Sequence, residues 1–347
     1  FPGVQLHIVT GKGGTGKTTV AAALAIALAA DGGDVLLCEV EGRQGFAQLF
    51  DVPPLPYEER LIARGTGGAG DVYALAIDAE SALMEYLAMY YRLGRAGKAL
   101  DRFGVIEFAT TIAPGVRDVL LTGKVYEAAR RNRRNKDARE YDAIVLDAPP
   151  TGRIAQFLNV NNELAGLAKV GPIKAQADTV TELIRSEQCA IHLTTVLEEM
   201  PVQETVDGIH QLEGLGLPIG GVFINLVRPQ DLDDAEREQL LAGKVTKKSV
   251  AEALRGAGIQ ADEAMVTALL KEGHDHAERR ALEDAQRALV AELEVPTIEL
   301  PKLAGGVEYE GLFDLAAILP DKDAILVAYC SGDGCDMAGE LAEELAR

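Results

Sequence analysis

Apolar residues in this chain gather into short unbroken runs, and those runs alternate with stretches of helical period. Segments 6–10, 34–38, 72–77, 143–146, 190–195, 221–225 and 297–300 each read as a strand buried on both faces. Between them, the Ala/Leu-rich run 19–30, stopped at Gly32-Gly33, predicts a helix, as do 81–100, 116–131 and 235–293, the last broken by glycines. Residues 65–70 (GTGGAG) read as a flexible loop, and 55–63 carry no clear period. Strand–helix alternation predicts an α/β fold with a doubly wound, mostly parallel sheet covered on both faces. No internal repeat is visible. The longest apolar run, 20–30, is too short to span a bilayer and fits a core helix.

The turn between the first strand and the first helix carries the chemistry. It reads Gly11-Lys12-Gly13-Gly14-Thr15-Gly16-Lys17-Thr18-Thr19. Glycines let successive backbone N–H groups turn inward onto an anion, and the following helix N-terminus adds partial positive charge. Gly13, Gly14, Thr15, Gly16, Lys17, Thr18 and Thr19 therefore form a candidate phosphate cradle. Lys17 would neutralise the β- and γ-phosphates of a nucleotide, and the Thr18 hydroxyl would ligate Mg²⁺. Lys12 has no task in a single cradle. A second anchor lies in Tyr141-Asp142-Ala143-Ile144-Val145-Leu146-Asp147, which places Asp147 at the carboxyl end of a buried strand. There it can hold Mg²⁺ through a coordinated water. Taken alone, such an aspartate is more often a turn or helix cap.

Composition narrows the class. A chain of 347 residues can bury a sizeable core in one domain or two. Four cysteines argue against a disulfide framework and suit a reducing compartment, so a cytoplasmic protein is expected, with no secretory leader at Phe1-Pro2-Gly3. A net charge of −20 disfavours nucleic acid and anionic membrane as general partners.

The double-lysine loop resembles that of the P-loop NTPase family that includes the ArsA arsenite-pump ATPases, the tail-anchored-protein targeting ATPases, MinD, ParA and the nitrogenase iron protein. The resemblance implies a dimer in which Lys12 reaches the partner's nucleotide. Asp147-Ala148-Pro149-Pro150-Thr151-Gly152-Arg153 is similar to the DTAPTGH switch of the ArsA and targeting branch, with Ala148, Pro149 and Arg153 as departures. Residues 76–87 resemble that branch's EIDP..ALKEYL segment, and 114–118 its PGIDE turn. Phe223-Ile224-Asn225-Leu226 resembles its VVNQL strand, which implies that Asn225 bonds adenine; on residue type alone, Asn225 reads as a turn residue. Residues 295–312, with Pro301, resemble the loop that flanks the base. The likeness runs from about residue 5 to 315 and points to the actinobacterial ArsA-like ATPases, which commonly occur as paired paralogues. It implies a single ATPase domain over 1–347, with a helical subdomain drawn from about 80–130 and 155–188.

The first switch departs from the branch. Where relatives read DPAH, this chain has Glu41-Gly42-Arg43-Gln44. Glu41 keeps a carboxylate one methylene longer, Glu39 is a rival on the same strand face, and water positioning is sensitive to such displacements. Glu41 either orients the attacking water or leaves a subunit that binds ATP without hydrolysing it well.

Other candidates have blander explanations. Met84 and Met89, with the apolar stretches 81–91 and 103–121, suit a cargo groove but read better as core. Cys330 and Cys335 (CSGDGC) read as isolated thiols rather than a metalloid or zinc site, and Cys38 and Cys189 fall in strands. His274 and His276 project to different helix faces. The basic run 130–136 reads as a solvated helix end. Three functions follow: a dimeric ATPase that handles a membrane-protein client, the motor of an arsenite or anion channel, or a nucleotide-binding regulatory subunit paired with a paralogue.

Overall fold

Eight strands form one sheet in the order β3-β4-β2-β5-β1-β6-β7-β8. They are β1 (Leu6–Gly11), β2 (Val35–Val40), β3 (Arg60–Ala63), β4 (Val72–Ile77), β5 (Ala143–Asp147), β6 (Cys189–Thr195), β7 (Ile219–Val227) and β8 (Thr297–Pro301). The computed structural model describes residues 3–40, 42, 44–91, 114–131, 139–159, 172–303, 306–307 and 309–319. Every pairing is parallel except β3 with β4. All seven expected strands are present within three residues at either end. β3 carried no apolar run because two of its four residues, Arg60 and Leu61, are exposed on an edge.

Alternation along each strand splits the interior into two cores. Val9, Leu37 and Val145 face one side, where α1 (Lys17–Ala30) and α11 (Tyr309–Ile318) pack with Phe46 and Leu312. Ile8, Leu36 and Leu146 face the other, beneath α4 (Pro114–Ala129), α5 (Thr151–Leu158), α6 (Pro172–Ile184) and α7 (Glu199–Gly214). A short α2 (Gly45–Leu49) follows β2, and α3 (Ala79–Tyr91) packs on α4 through Ala82, Leu83, Tyr86 and Leu120. That contact makes this part of the expected cargo stripe a core. The remainder of the expected 81–100 helix, and 103–113, lie outside the described residues.

The helical stretch expected over 235–293 is three helices inserted between β7 and β8: α8 (Asp234–Leu241), α9 (Lys247–Gly256) and the 29-residue α10 (Glu263–Ala291). The breaks fall at Gly243 and Gly258, both with φ near +70° (66° and 77°). Capping boxes at Asp233/Glu236 and Thr246/Ser249 restart the chain after β7 and after the first break, and Asp262 caps α10 through the Met265 N–H. No helix among the described residues is long and apolar enough to cross a membrane.

Candidate nucleotide site

β1 ends on Gly11 at the middle of the sheet, where a Cβ would lie 2.1 Å from the Thr194 carbonyl oxygen of β6. The loop then turns through Gly14 and Gly16, at φ +87° and +86°, and α1 begins at Lys17. Loop shape is held from inside by the Thr15 hydroxyl and the Lys17 ammonium, which donate to the Lys12 carbonyl at 2.9 and 3.1 Å. From outside, Asn225 Nδ2 donates to the Thr15 carbonyl at 3.0 Å. α1 has no side-chain cap and no acidic residue in its first turn, so its N-terminal amides and dipole are left to an anion.

Thr18 Oγ1 donates to Asp147 Oδ2 at 2.6 Å, joining the first turn of α1 to the end of β5. A hydroxyl and a buried carboxylate, both hard oxygen donors beside a phosphate cradle, fit Mg²⁺. Thr18 and Asp147 would hold the ion, and it would screen phosphate charge.

The first switch is partly described. Glu41 lies outside the described residues. Glu39 is buried in register with Asp147 on the neighbouring strand. Its Oε2 accepts from the Gly45 N–H at 2.9 Å, capping α2, while Oε1 accepts no hydrogen bond from a described residue. Burial pushes the Glu39 carboxyl above its usual range, against the pull of its backbone donors. Gln44 pins this segment by pairing with both backbone polar groups of Leu55, at 2.6 and 2.9 Å.

The second switch is tethered at both ends. Thr10 Oγ1 donates to the Pro149 carbonyl at 2.7 Å, and Arg153 lies 3.5 Å from the buried Asp118 of α4. Thr151 Oγ1 donates to Glu204 Oε2 of α7 at 3.1 Å. The other oxygen of Glu204 takes the Lys12 ammonium, and that bond holds the Glu204 carboxyl below its usual range. Lys12 thus sits in an ion pair within its own subunit.

A cavity of about 700 Å³ opens from Lys12, Gly14 and Thr15 past Asn225 toward Lys302 and α10. Gly13, Lys17 and Thr19 belong to the loop and first helical turn as the spacing required. Pro301 pairs with Val227 beside the cavity, and it is the adjacent Lys302 that lines it. Glu204, Arg228 and the α10 side chains Leu282 and Gln286 were not foreseen; they come from elements with no spacing relation to the loop.

Among the described residues, the remaining candidates do not converge on this cavity. The buried Cys38 and Cys189 lie on non-adjacent strands, and burial raises both thiols, Cys189 to about 12, so neither offers a ready thiolate. Cys330 and Cys335 lie outside the described residues. His274 groups with Asp275 and Glu278 rather than with His276, largely at the surface of α10. Of the basic run expected as a solvated helix end, Arg130 is exposed, Arg131 instead pairs with Glu59 and Glu127, and 132–136 lie outside the described residues.

The model of the anion-transporting ATPase family matches residues 4–184, more than half of the chain. ATPase BagA of Mycobacterium tuberculosis is 52% identical over 320 residues, spanning 92% of this chain and 94% of BagA. A protein of Aquifex aeolicus named as an arsenical pump-driving ATPase is 25% identical across 71% of this chain and 86% of its own length. ATPase get3 of Neurospora crassa is 28% identical over 48% of this chain and 46% of that protein. A glycine loop at an uncapped helix N-terminus, a Thr18–Asp147 oxygen pair beside it and an added loop lysine, on a chain matched in this way, lead to one conclusion: the chain belongs to the anion-transporting ATPase family and is an ATPase of the ArsA and Get3 type.

Proposed function

We propose that the chain works as one half of a nucleotide-driven ATPase dimer, whose closing and opening are coupled to handling of a client protein. The observation that carries the reading is the loop itself. Lys17 and the Thr18–Asp147 pair suffice for one Mg²⁺–ATP, and Lys12 sits at the cavity rim as an additional cation. In this reading ATP enters along the 700 Å³ cavity with its base beside Asn225 and Lys302, and its phosphates on residues 13–19. Lys12 crosses to the nucleotide of a second subunit, either another copy of this chain or a paralogue. Glu41 or Glu39 orients water for in-line attack on the γ-phosphorus. Release of phosphate removes the group that both switches hold, and the dimer reopens.

Equilibrium binding of a fluorescent ATP analogue tests the cradle. Lys17→Ala should bind roughly ten- to a hundredfold more weakly, as expected for loss of a charge-assisted contact. Lys12→Ala should bind within about twofold of the parent yet fail to associate. Binding lost equally in both variants would contradict the division of labour. Single-turnover hydrolysis separates the two acids. If Glu41→Gln leaves the rate unchanged and Glu39→Gln abolishes it, the water is oriented by Glu39.

A further inference from the structure

Glu204 has no place in the cradle, yet its two carboxylate oxygens grip the two segments that a γ-phosphate would draw together. Oε1 receives the Lys12 ammonium of the phosphate loop. Oε2 receives the hydroxyl of Thr151, the first residue of α5, at 3.1 Å. Only residues 148–150 separate Thr151 from the metal-facing Asp147. The helix that presents Glu204 is well anchored: Val202, Thr205, Ile209 and Leu212 of α7 are buried. On the same helix Gly208 lies against Thr151, where a Cβ would meet the threonine methyl at 3.5 Å. Thr151 is itself buried, so its hydroxyl reports the position of the switch to a fixed point. An ammonium neutralised inside its own subunit has little charge left to offer another subunit's phosphates.

We propose that Glu204 is a positioning residue that holds Lys12 in cis and senses the second switch through Thr151, releasing Lys12 when that switch moves toward bound nucleotide. The proposal rests on the dimeric reading above for its purpose, but the latch itself can be measured in a single chain. Both side chains of the ion pair are about a third exposed (29% and 36%), so the latch is weak enough to be opened by nucleotide.

The test is amine acylation of the full chain without nucleotide, read at Lys12 by mass spectrometry, with the exposed Lys244 as internal reference. Acylation needs the neutral amine, so an ion-paired lysine reacts slowly. Glu204→Gln keeps an acceptor for Thr151 and removes the charge; it should speed labelling of Lys12 about two- to fivefold relative to Lys244. An unchanged ratio overturns the latch whatever the oligomeric state. A second measurement follows the mass of the protein, alone and mixed with its paralogue, as Mg²⁺–ATPγS is added. Glu204→Gln should associate at about two- to fivefold lower nucleotide than the parent. Lys12→Ala/Glu204→Gln should show no gain over Lys12→Ala. A gain that persists without Lys12 would show Glu204 acting through some other contact and overturn the proposal. If labelling at Lys12 rises but the parent never changes mass, the dimeric reading fails while the latch stands.

Discussion

A methyl group at position 16 would sit 2.3 Å from Asn225 Nδ2, on a residue already at φ +86°. Gly16→Ala is therefore expected to cost about 1–3 kcal/mol of stability and to weaken ATP binding, because the loop must either open or expel Asn225. Thermal unfolding and nucleotide titration of the variant check both. Asn225→Ala in that background removes the collision but not the backbone strain, so it should restore only part of the loss. At this scale the shape of the loop was legible because glycine, lysine and threonine at fixed spacing encode it locally. Glu204 was not legible: it approaches Lys12 from 192 positions away and is one of several acids on a mixed helix surface. The brace that Asn225 supplies was not legible either. In the structure its amide braces the Thr15 carbonyl as well as lining the cavity where a base would lie.

Among elements, the apolar runs were enough to place the seven parallel strands, since a parallel sheet is buried on both faces and advertises itself in sequence. β3 had to be found in the structure, along with what secures its surroundings. Arg131, two residues past α4, reaches Glu59, just before β3, at 2.5 Å, and also Glu127 at 2.8 Å. Tyr141 donates to Glu59 at 2.7 Å, while Lys124 and Tyr57 each meet Glu85 at 2.7 Å. Burial and their carboxylate partners push both phenols well above the usual tyrosine range. Arg131→Met leaves Glu59 without its cation in a largely enclosed place and should destabilise the protein by about 2–4 kcal/mol. A denaturant midpoint indistinguishable from the parent would mean the network contributes little. The insertion α8–α10 was visible as helix but not as a cavity wall. Its long helix buries only Val266, Ala277, Arg280, Glu283 and Val290, too sparse a stripe to reveal which side meets the nucleotide site.

At the scale of the molecule, the centre of the sheet carries a pH liability. His7 of β1 and His192 of β6 are fully buried, stacked with ring centroids 5.3 Å apart, and bonded Nδ1 to Nε2 at 3.0 Å. Desolvation lowers His7 to about 4 and holds His192 well below the ordinary 6.5. The unfolded chain takes up protons below about 6.5, whereas folded His7 does so only near 4, so the stability it confers is complete above 6.5 and is lost as pH falls between those values. The loss from His7 is on the order of 3 kcal/mol. Melting temperature should fall over that interval, and His7→Gln/His192→Gln should flatten the slope.

Two subunits closed by nucleotide across Lys12 would make a larger object still. Sedimentation of the chain, alone and mixed with its paralogue, in Mg²⁺–ATPγS decides whether they form it. The parent should move from one subunit to two as nucleotide saturates, while Lys12→Ala should bind the nucleotide but stay single. Association of Lys12→Ala at the same nucleotide concentration as the parent would contradict closure across Lys12.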